Sequence, residues 1–122
     1  MTQERKDTHG VIFKPGDIVA YAAGCGDLAI DVYEYHSNTP TSIRAVLISP
    51  WMRTKDVDGL SYPEPLVKHW YRLYSPEELY ERMQGMFKPT PLKSCERRVV
   101  ILNGATAQDY PEYYKYKVLY GF

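Results

Sequence analysis

Residues 13–21 read Phe-Lys-Pro-Gly-Asp-Ile-Val-Ala-Tyr, and no other stretch constrains the fold as much. Pro15 and Gly16 are a turn signal, because proline pre-sets one turn dihedral and glycine tolerates the next. The apolar run at 17–22 then reads as a strand. Residues 28–35 alternate, with Leu28, Ile30 and Val32 on one face and Ala29, Asp31, Tyr33 and Tyr35 on the other. Period two predicts a strand with one buried face. The small, glycine-rich stretch 23–27 suits a loop between these strands. Ser37-Asn38-Thr39-Pro40 is a polar turn into a third strand at 42–48, so the second and third strands should pair as a hairpin.

The 122 residues fit one domain, large enough to bury a core without disulfide or metal staples. Residues 11–122 are expected to form a single β-rich domain. The polar residues 1–10 read as a flexible tail with no apolar stretch of the kind a signal peptide needs. No run of apolar residues is long enough for a membrane span, and a cytoplasmic protein is expected. Cys25 and Cys95 form no CxxC and read as reduced thiols.

Beyond the third strand, 50–65 reads as a long, proline-flanked surface loop carrying Trp51, Met52 and Tyr62. Residues 66–74 return to strand character, with Lys68, Trp70, Arg72 and Tyr74 on one face. Ser75-Pro76-Glu77-Glu78 is a capping box with proline at the first helical position, and it predicts a helix over about 76–85. Leu79, Met83 and Met86 give that helix an apolar stripe. Residues 97–102 predict a strand ended by Asn103-Gly104. At 105–112, Thr106 is placed to cap a single turn. The aromatic residues at 113–120 favour a C-terminal strand.

The chain carries no nucleotide-binding, zinc-protease or nucleophile-elbow motif, and His9, His36 and His69 are isolated. No enzyme is expected, and no cofactor or metal. Acidic and basic residues balance at 15 each, which disfavours an extensive nucleic-acid footprint. Charge is uneven, however: Lys88, Lys93, Arg97 and Arg98 cluster against Glu96 alone. Twelve tyrosines and two tryptophans are the compositional oddity. Tyrosine and tryptophan suit interfaces because each ring buries area while its polar tip stays paired.

The candidate binding residues are therefore Trp51, Tyr62, Lys68, Trp70, Arg72, Tyr74, Arg97, Arg98, Tyr113, Tyr114 and Tyr116. Aromatic and basic side chains together suit either a protein partner or a nucleic acid, where rings stack bases and cations meet phosphates. The same rings would serve equally as core packing beneath the helix at 76–85.

The opening run, Leu-Ala-Ile-Asp-Val-Tyr-Glu-Tyr at 28–35 and Ser-Ile-Arg-Ala-Val-Leu-Ile at 42–48 together resemble an SH3-like β-barrel of the KOW or Tudor type. The resemblance covers residues 11–48. In such barrels a Gly-Asp pair opens the first strand and the next two form a bent hairpin. It implies a small SH3-like bent barrel, to which the capped helix at about 76–85 and a C-terminal extension are added, giving a mainly β (α+β) fold. Decorated barrels of this kind are similar to short phage-encoded proteins that bind host machinery. The expected function is thus a non-enzymatic protein-interaction module, an inhibitor or adaptor. A nucleic-acid-binding barrel is the alternative.

Overall fold

The computed structural model describes residues 4–22, 30–52, 54–57, 60–63, 78, 81 and 84–120. Its centre is a five-stranded antiparallel sheet. In chain order the strands are β1 (Ile18–Ala22), β2 (Ile30–Asn38), β3 (Ile43–Leu47), β6 (Thr90–Leu92) and β7 (Val99–Ile101). In space they run β6-β3-β2-β1-β7. A separate hairpin pairs β4 (Thr54–Val57) with β5 (Leu60–Pro63). Two α-helices are described from end to end: α1 (Cys95–Arg98) and α2 (Pro111–Tyr120). The fold is small and mainly β with a helical end.

Local chemistry accounts for the entry into the sheet. The Asp17 N–H bonds the Lys14 carbonyl at 3.0 Å, closing a four-residue turn with Pro15 and Gly16 at its centre. Gly16 sits at φ +90°, the left-handed value that a type II turn demands at its third position. The Asp17 carboxylate accepts the Lys14 N–H in return, at 2.8 Å. β1 then pairs with β2 from Ile18↔Glu34 to Ala22↔Ile30. β2 continues into β3 through the turn at 39–42, where Thr39 Oγ1 accepts the Ser42 N–H at 2.7 Å. The β2–β3 register slips between Tyr35 and Ser37, leaving His36 as a bulged residue. A bulge sharpens strand twist and bends the pair.

Strand alternation divides the core into two. Ile18, Val46 and Ile48 point to one face, where Trp51, Phe87, Tyr113 and Tyr116 pack, with Val32 at the margin. Val19, Tyr33, Tyr35, Ile43 and Ala45 point to the other, beneath Phe13, Leu92, Cys95 and Val99. The one-sided burial expected of 28–35 is therefore corrected. Ile30 is 60% exposed, whereas Tyr33, Glu34 and Tyr35 are all buried. The sheet is covered on both sides, and Tyr33 and Tyr35 belong to the second core.

Three further expectations change. Residues 113–120 are helical, not a strand. Pro111 opens α2, Glu112 stands in its first turn, and the Tyr114 N–H bonds the Tyr110 carbonyl at 2.9 Å. Burying Tyr113 and Tyr116, three apart on one helix face, outweighs the strand preference of aromatic residues. The strand at 97–102 is shorter, because Arg97 and Arg98 belong to α1 and β7 starts at Val99. Asn103-Gly104 does form the turn after it, with Gly104 at φ +78°. The stretch 50–65 holds more than loop, since a 3-10 turn at Ser49–Met52 and the β4–β5 hairpin occupy it.

Thr106 opens a 3-10 turn at Ala107–Asp109, and its N–H is held by Asp109 Oδ2 at 2.8 Å. Residues 78, 81 and 84–86 are helical. The strand expected at 66–74 and most of the helix expected at 76–85 lie outside the described residues.

Residues 4–10, read from the sequence as a flexible tail, are tied to the sheet. Lys6 bridges Ile12, and the Thr8 N–H bonds the Val99 carbonyl at 2.9 Å. Asp7 is buried and accepts three backbone N–H groups. Its Oδ1 takes those of His9 and Val11, each at 2.9 Å, and its Oδ2 takes that of Ile101 at 3.0 Å. Arg5 bonds the Thr39 and Pro40 carbonyls of the β2–β3 turn. The outer edge of β7 is thereby occupied. At the opposite edge β6 is only three residues long and carries Pro91, which has no N–H to offer.

Candidate functional site

The residues singled out in the sequence scatter over the molecule. Trp51 is 2% exposed and packs its ring against Phe87 at 4.8 Å and Tyr116 at 5.1 Å between centroids. Tyr113 stacks on Phe87 at 5.8 Å. Trp51, Tyr113 and Tyr116 are thus core residues rather than contact residues, a correction that follows from two-sided burial of the sheet. Arg97 and Arg98 are exposed, on α1 and not on the strand expected at 97–102. Tyr62 lies in β5, paired with Lys55. Lys68, Trp70, Arg72 and Tyr74, and with them the aromatic–basic strand face, lie outside the described residues. Cys25 lies outside them too.

Tyr114 alone of the C-terminal tyrosine candidates faces outward, and it does so in company. Along α2, Tyr113 and Tyr116 turn inward, while Tyr114, Val118 and Leu119 turn outward at 38%, 63% and 57% exposure. The helix carries apolar side chains on both sides. Here one side is covered by the sheet and the other carries two aliphatic side chains and a phenol in the open. Lys115 supplies the charge on the exposed side, and Met52, 53% exposed, adds another apolar group at the molecular surface.

The sheet-facing side of α2 builds a polar cluster that sequence reading passed over. Glu34, 8% exposed, sits mid-strand in β2. Its Oε1 accepts the Tyr113 hydroxyl at 2.6 Å and the Lys117 ammonium at 2.5 Å. Burial pushes the Tyr113 phenol far above its ordinary value, and the hydrogen bond and charge of Glu34 push it further. Tyr113 is consequently held as a neutral donor to Glu34. Val32 and Glu34 share a strand face, so the lone acid continuing an Ile-Val row was the available signal.

This cluster borders a cleft of about 380 Å³, with Pro15, His36, Phe87 and Pro89 among its walls. The imidazole of His36 is exposed, its Nδ1 2.8 Å from Ser37 Oγ. The cleft wall combines one carboxylate, one ammonium, the Tyr113 phenol and the exposed imidazole of His36 beside the Ser37 hydroxyl. Cys95 is buried, and burial raises its thiol above the ordinary range, with neighbouring Glu96 adding to the shift. Among the described residues there is no group of three His, Cys, Asp or Glu side chains able to hold a metal. No helix among them is long and apolar enough to cross a membrane. No family model, curated protein or solved structure matches the chain.

Proposed function

We propose that the protein is a non-enzymatic protein-interaction module, an inhibitor or adaptor, that engages its partner through the outer face of α2. One observation carries this reading: Tyr114, Val118 and Leu119 stand exposed on a helix whose opposite face is core. Exposed aliphatic side chains grouped on one helix face are an ordinary mark of a contact surface. The sheet edges add support by elimination. In the five-stranded sheet, among the described residues, the N-terminal segment lies along β7 and Pro91 blunts β6, which disfavours strand addition at either edge. The proposal places this face on an SH3-like bent sheet, with the β2 bulge at His36 supplying the bend.

A photo-crosslinking residue at Val118 tests it, incorporated in the full chain and exposed to lysate of the source cells. The expected result is a saturable protein adduct that the same crosslinker at Lys93 does not give. Absence of a saturable adduct at Val118 removes the reading.

A nucleic-acid interface is the second reading, favoured by the shared exposure of Lys93, Arg97 and Arg98. It requires oligonucleotide binding that weakens steeply between low and moderate salt. Binding that is absent or insensitive to salt rejects it.

A further inference from the structure

The cleft on the inner side of α2, of about 380 Å³, has the size of a small-molecule site. It also has the usual make-up of one, an apolar wall with a few polar groups brought together. Pro15, Val46, Phe87 and Pro89 supply the apolar part, and Glu34, His36 and Lys117 the polar part. Of the ion pair, the ammonium is the outer member: the Lys117 side chain is 32% exposed and that of Glu34 10%. Glu34 Oε1 already accepts two donors, the Tyr113 hydroxyl and Lys117 Nζ. One of the three Lys117 N–H groups makes that bond, and the nitrogen stands 5.9 Å from the centre of the Tyr113 ring. Both contacts are with wall residues, so the ammonium is fixed at the wall. Positive charge also flanks the wall in sequence. Lys14 adjoins Pro15, Lys88 stands between Phe87 and Pro89, and both are exposed. The nearby acid Asp17 has its carboxylate on the Lys14 N–H.

We propose that this cleft binds a carboxylate carried on an apolar body. The site is separate from the outer face of α2 and does not depend on the function proposed for that face. Exposure selects the sign of charge. A ligand in the cleft meets the exposed ammonium before the buried carboxylate, so an anion is attracted and an amine is not. Glu34 neutralises part of the Lys117 charge, so a monoanion is matched and a phosphate monoester, near two negative charges, is not. Hydrogen bonding selects the group. A carboxylate presents two acceptor oxygens, and a charge-assisted bond from Lys117 to one of them is of the stronger kind. His36 is the donor for the other. Its Nδ1 lies 2.8 Å from Ser37 Oγ, and a neutral imidazole that accepts at Nδ1 carries its proton on Nε2 and donates there. Phe87 and the two prolines then cover the body of the ligand. The chemistry is common to a free arylalkanoic acid and to the C-terminal carboxylate of a peptide ending in an aromatic residue.

Titration followed by backbone ¹H–¹⁵N resonances of the intact chain tests the site, read at Tyr35, His36, Ser37 and Lys117. The probes are 3-phenylpropionate, the tripeptide Gly-Gly-Phe with a free C-terminus, 3-phenylpropanamide, phenethylamine and phenyl phosphate. The acid or the tripeptide should shift these resonances saturably, the tighter of the two marking the source. The amide, the amine and the phosphate should each bind more weakly by about tenfold or more. His36→Ala changes an exposed side chain and should weaken binding of the acid severalfold while the spectrum keeps its dispersion. Removing Lys117 alone would strand the buried Glu34 charge, so Lys117→Met is combined with Glu34→Gln. This pair should bring the acid down to the affinity of the amide. Three results overturn the proposal: the amide, the amine or the phosphate binding as tightly as the acid; an affinity for the acid that either change leaves at its native value; or resonances that no probe moves up to its solubility limit.

Discussion

The Tyr113 hydroxyl meets Glu34 Oε1 at 2.6 Å, joining the inner face of α2 to the centre of β2 across 79 positions of sequence. The carboxylate is buried, so its tolerance depends on the donors around it. Tyr113→Phe deletes one donor and leaves the charge in place. It should destabilise the fold by roughly 1–3 kcal/mol, the usual cost of stranding a buried polar group. Combining Tyr113→Phe with Glu34→Leu removes both partners, and the pair should cost less than the sum of the single changes. Urea denaturation of the four proteins in this cycle gives the coupling directly, and strict additivity would deny the bond any role in holding α2.

Asp7 makes stability depend on acid. Burial pushes its carboxyl up, but the Ile101, Val11 and His9 N–H donors outweigh that and hold it below its ordinary value. A carboxyl with a depressed folded-state pKa contributes stability above its unfolded value and loses it as pH falls through the folded one. Thermal midpoints of the native chain and of Asp7→Asn, measured from pH 6 down to strongly acidic pH, should therefore converge below roughly pH 4. At neutral pH the native chain should be the more stable. A gap between the two that stays constant with pH would mean that Asp7 does not titrate on unfolding.

The Pro15–Gly16 turn and the three strands that follow it were the legible part of the chain. The Pro15-Gly16 turn, β1, β2, β3 and their polar turn are local features, and each is written in dihedral preference and period-two alternation. What alternation could not reveal was how many faces are covered. Tyrosine is half-polar, so period two alone does not tell that Tyr33 and Tyr35 are buried in one core with Val19, Ala45 and Val99. The same ambiguity hid α2. Its aromatic run matches strand preference, and only the fit of Tyr113 and Tyr116 against Trp51 and Phe87 makes it a helix, a relation between distant parts of the chain. Trp51, Tyr113 and Tyr116 entered the candidate site by residue type, which says nothing about direction. The Glu34–Lys117 pair is likewise nonlocal, joining positions that no spacing rule connects.

Cys95 is fully buried, and burial raises its thiol above the ordinary range. Alkylation proceeds through the thiolate, so iodoacetamide at neutral pH should leave Cys95 unmodified in the folded protein. In urea it should react freely. Peptide mass spectrometry distinguishes Cys95 from Cys25, and labelling of Cys95 under native conditions at a rate near that of a free thiol would show the second core to be open.

The two sides of α2 should separate cleanly under mutation. Tyr116 is 1% exposed and its ring lies 5.1 Å from that of Trp51, so Tyr116→Ala leaves a cavity in the core. Truncating a large buried aromatic costs about 3–5 kcal/mol, a large share of the stability of a domain this size. Val118 lies on the opposite side of the helix, 63% exposed. Val118→Glu removes little packing, and a surface change of this kind stays within about 0.5 kcal/mol. Chemical denaturation should therefore leave Val118→Glu indistinguishable from the native chain and Tyr116→Ala strongly weakened. If the outer face makes the contact proposed for it, Val118→Glu should also abolish partner capture, because a carboxylate would enter an apolar interface without a counter-charge. A Val118→Glu protein that is both stable and fully competent in capture would move the interface off this helix.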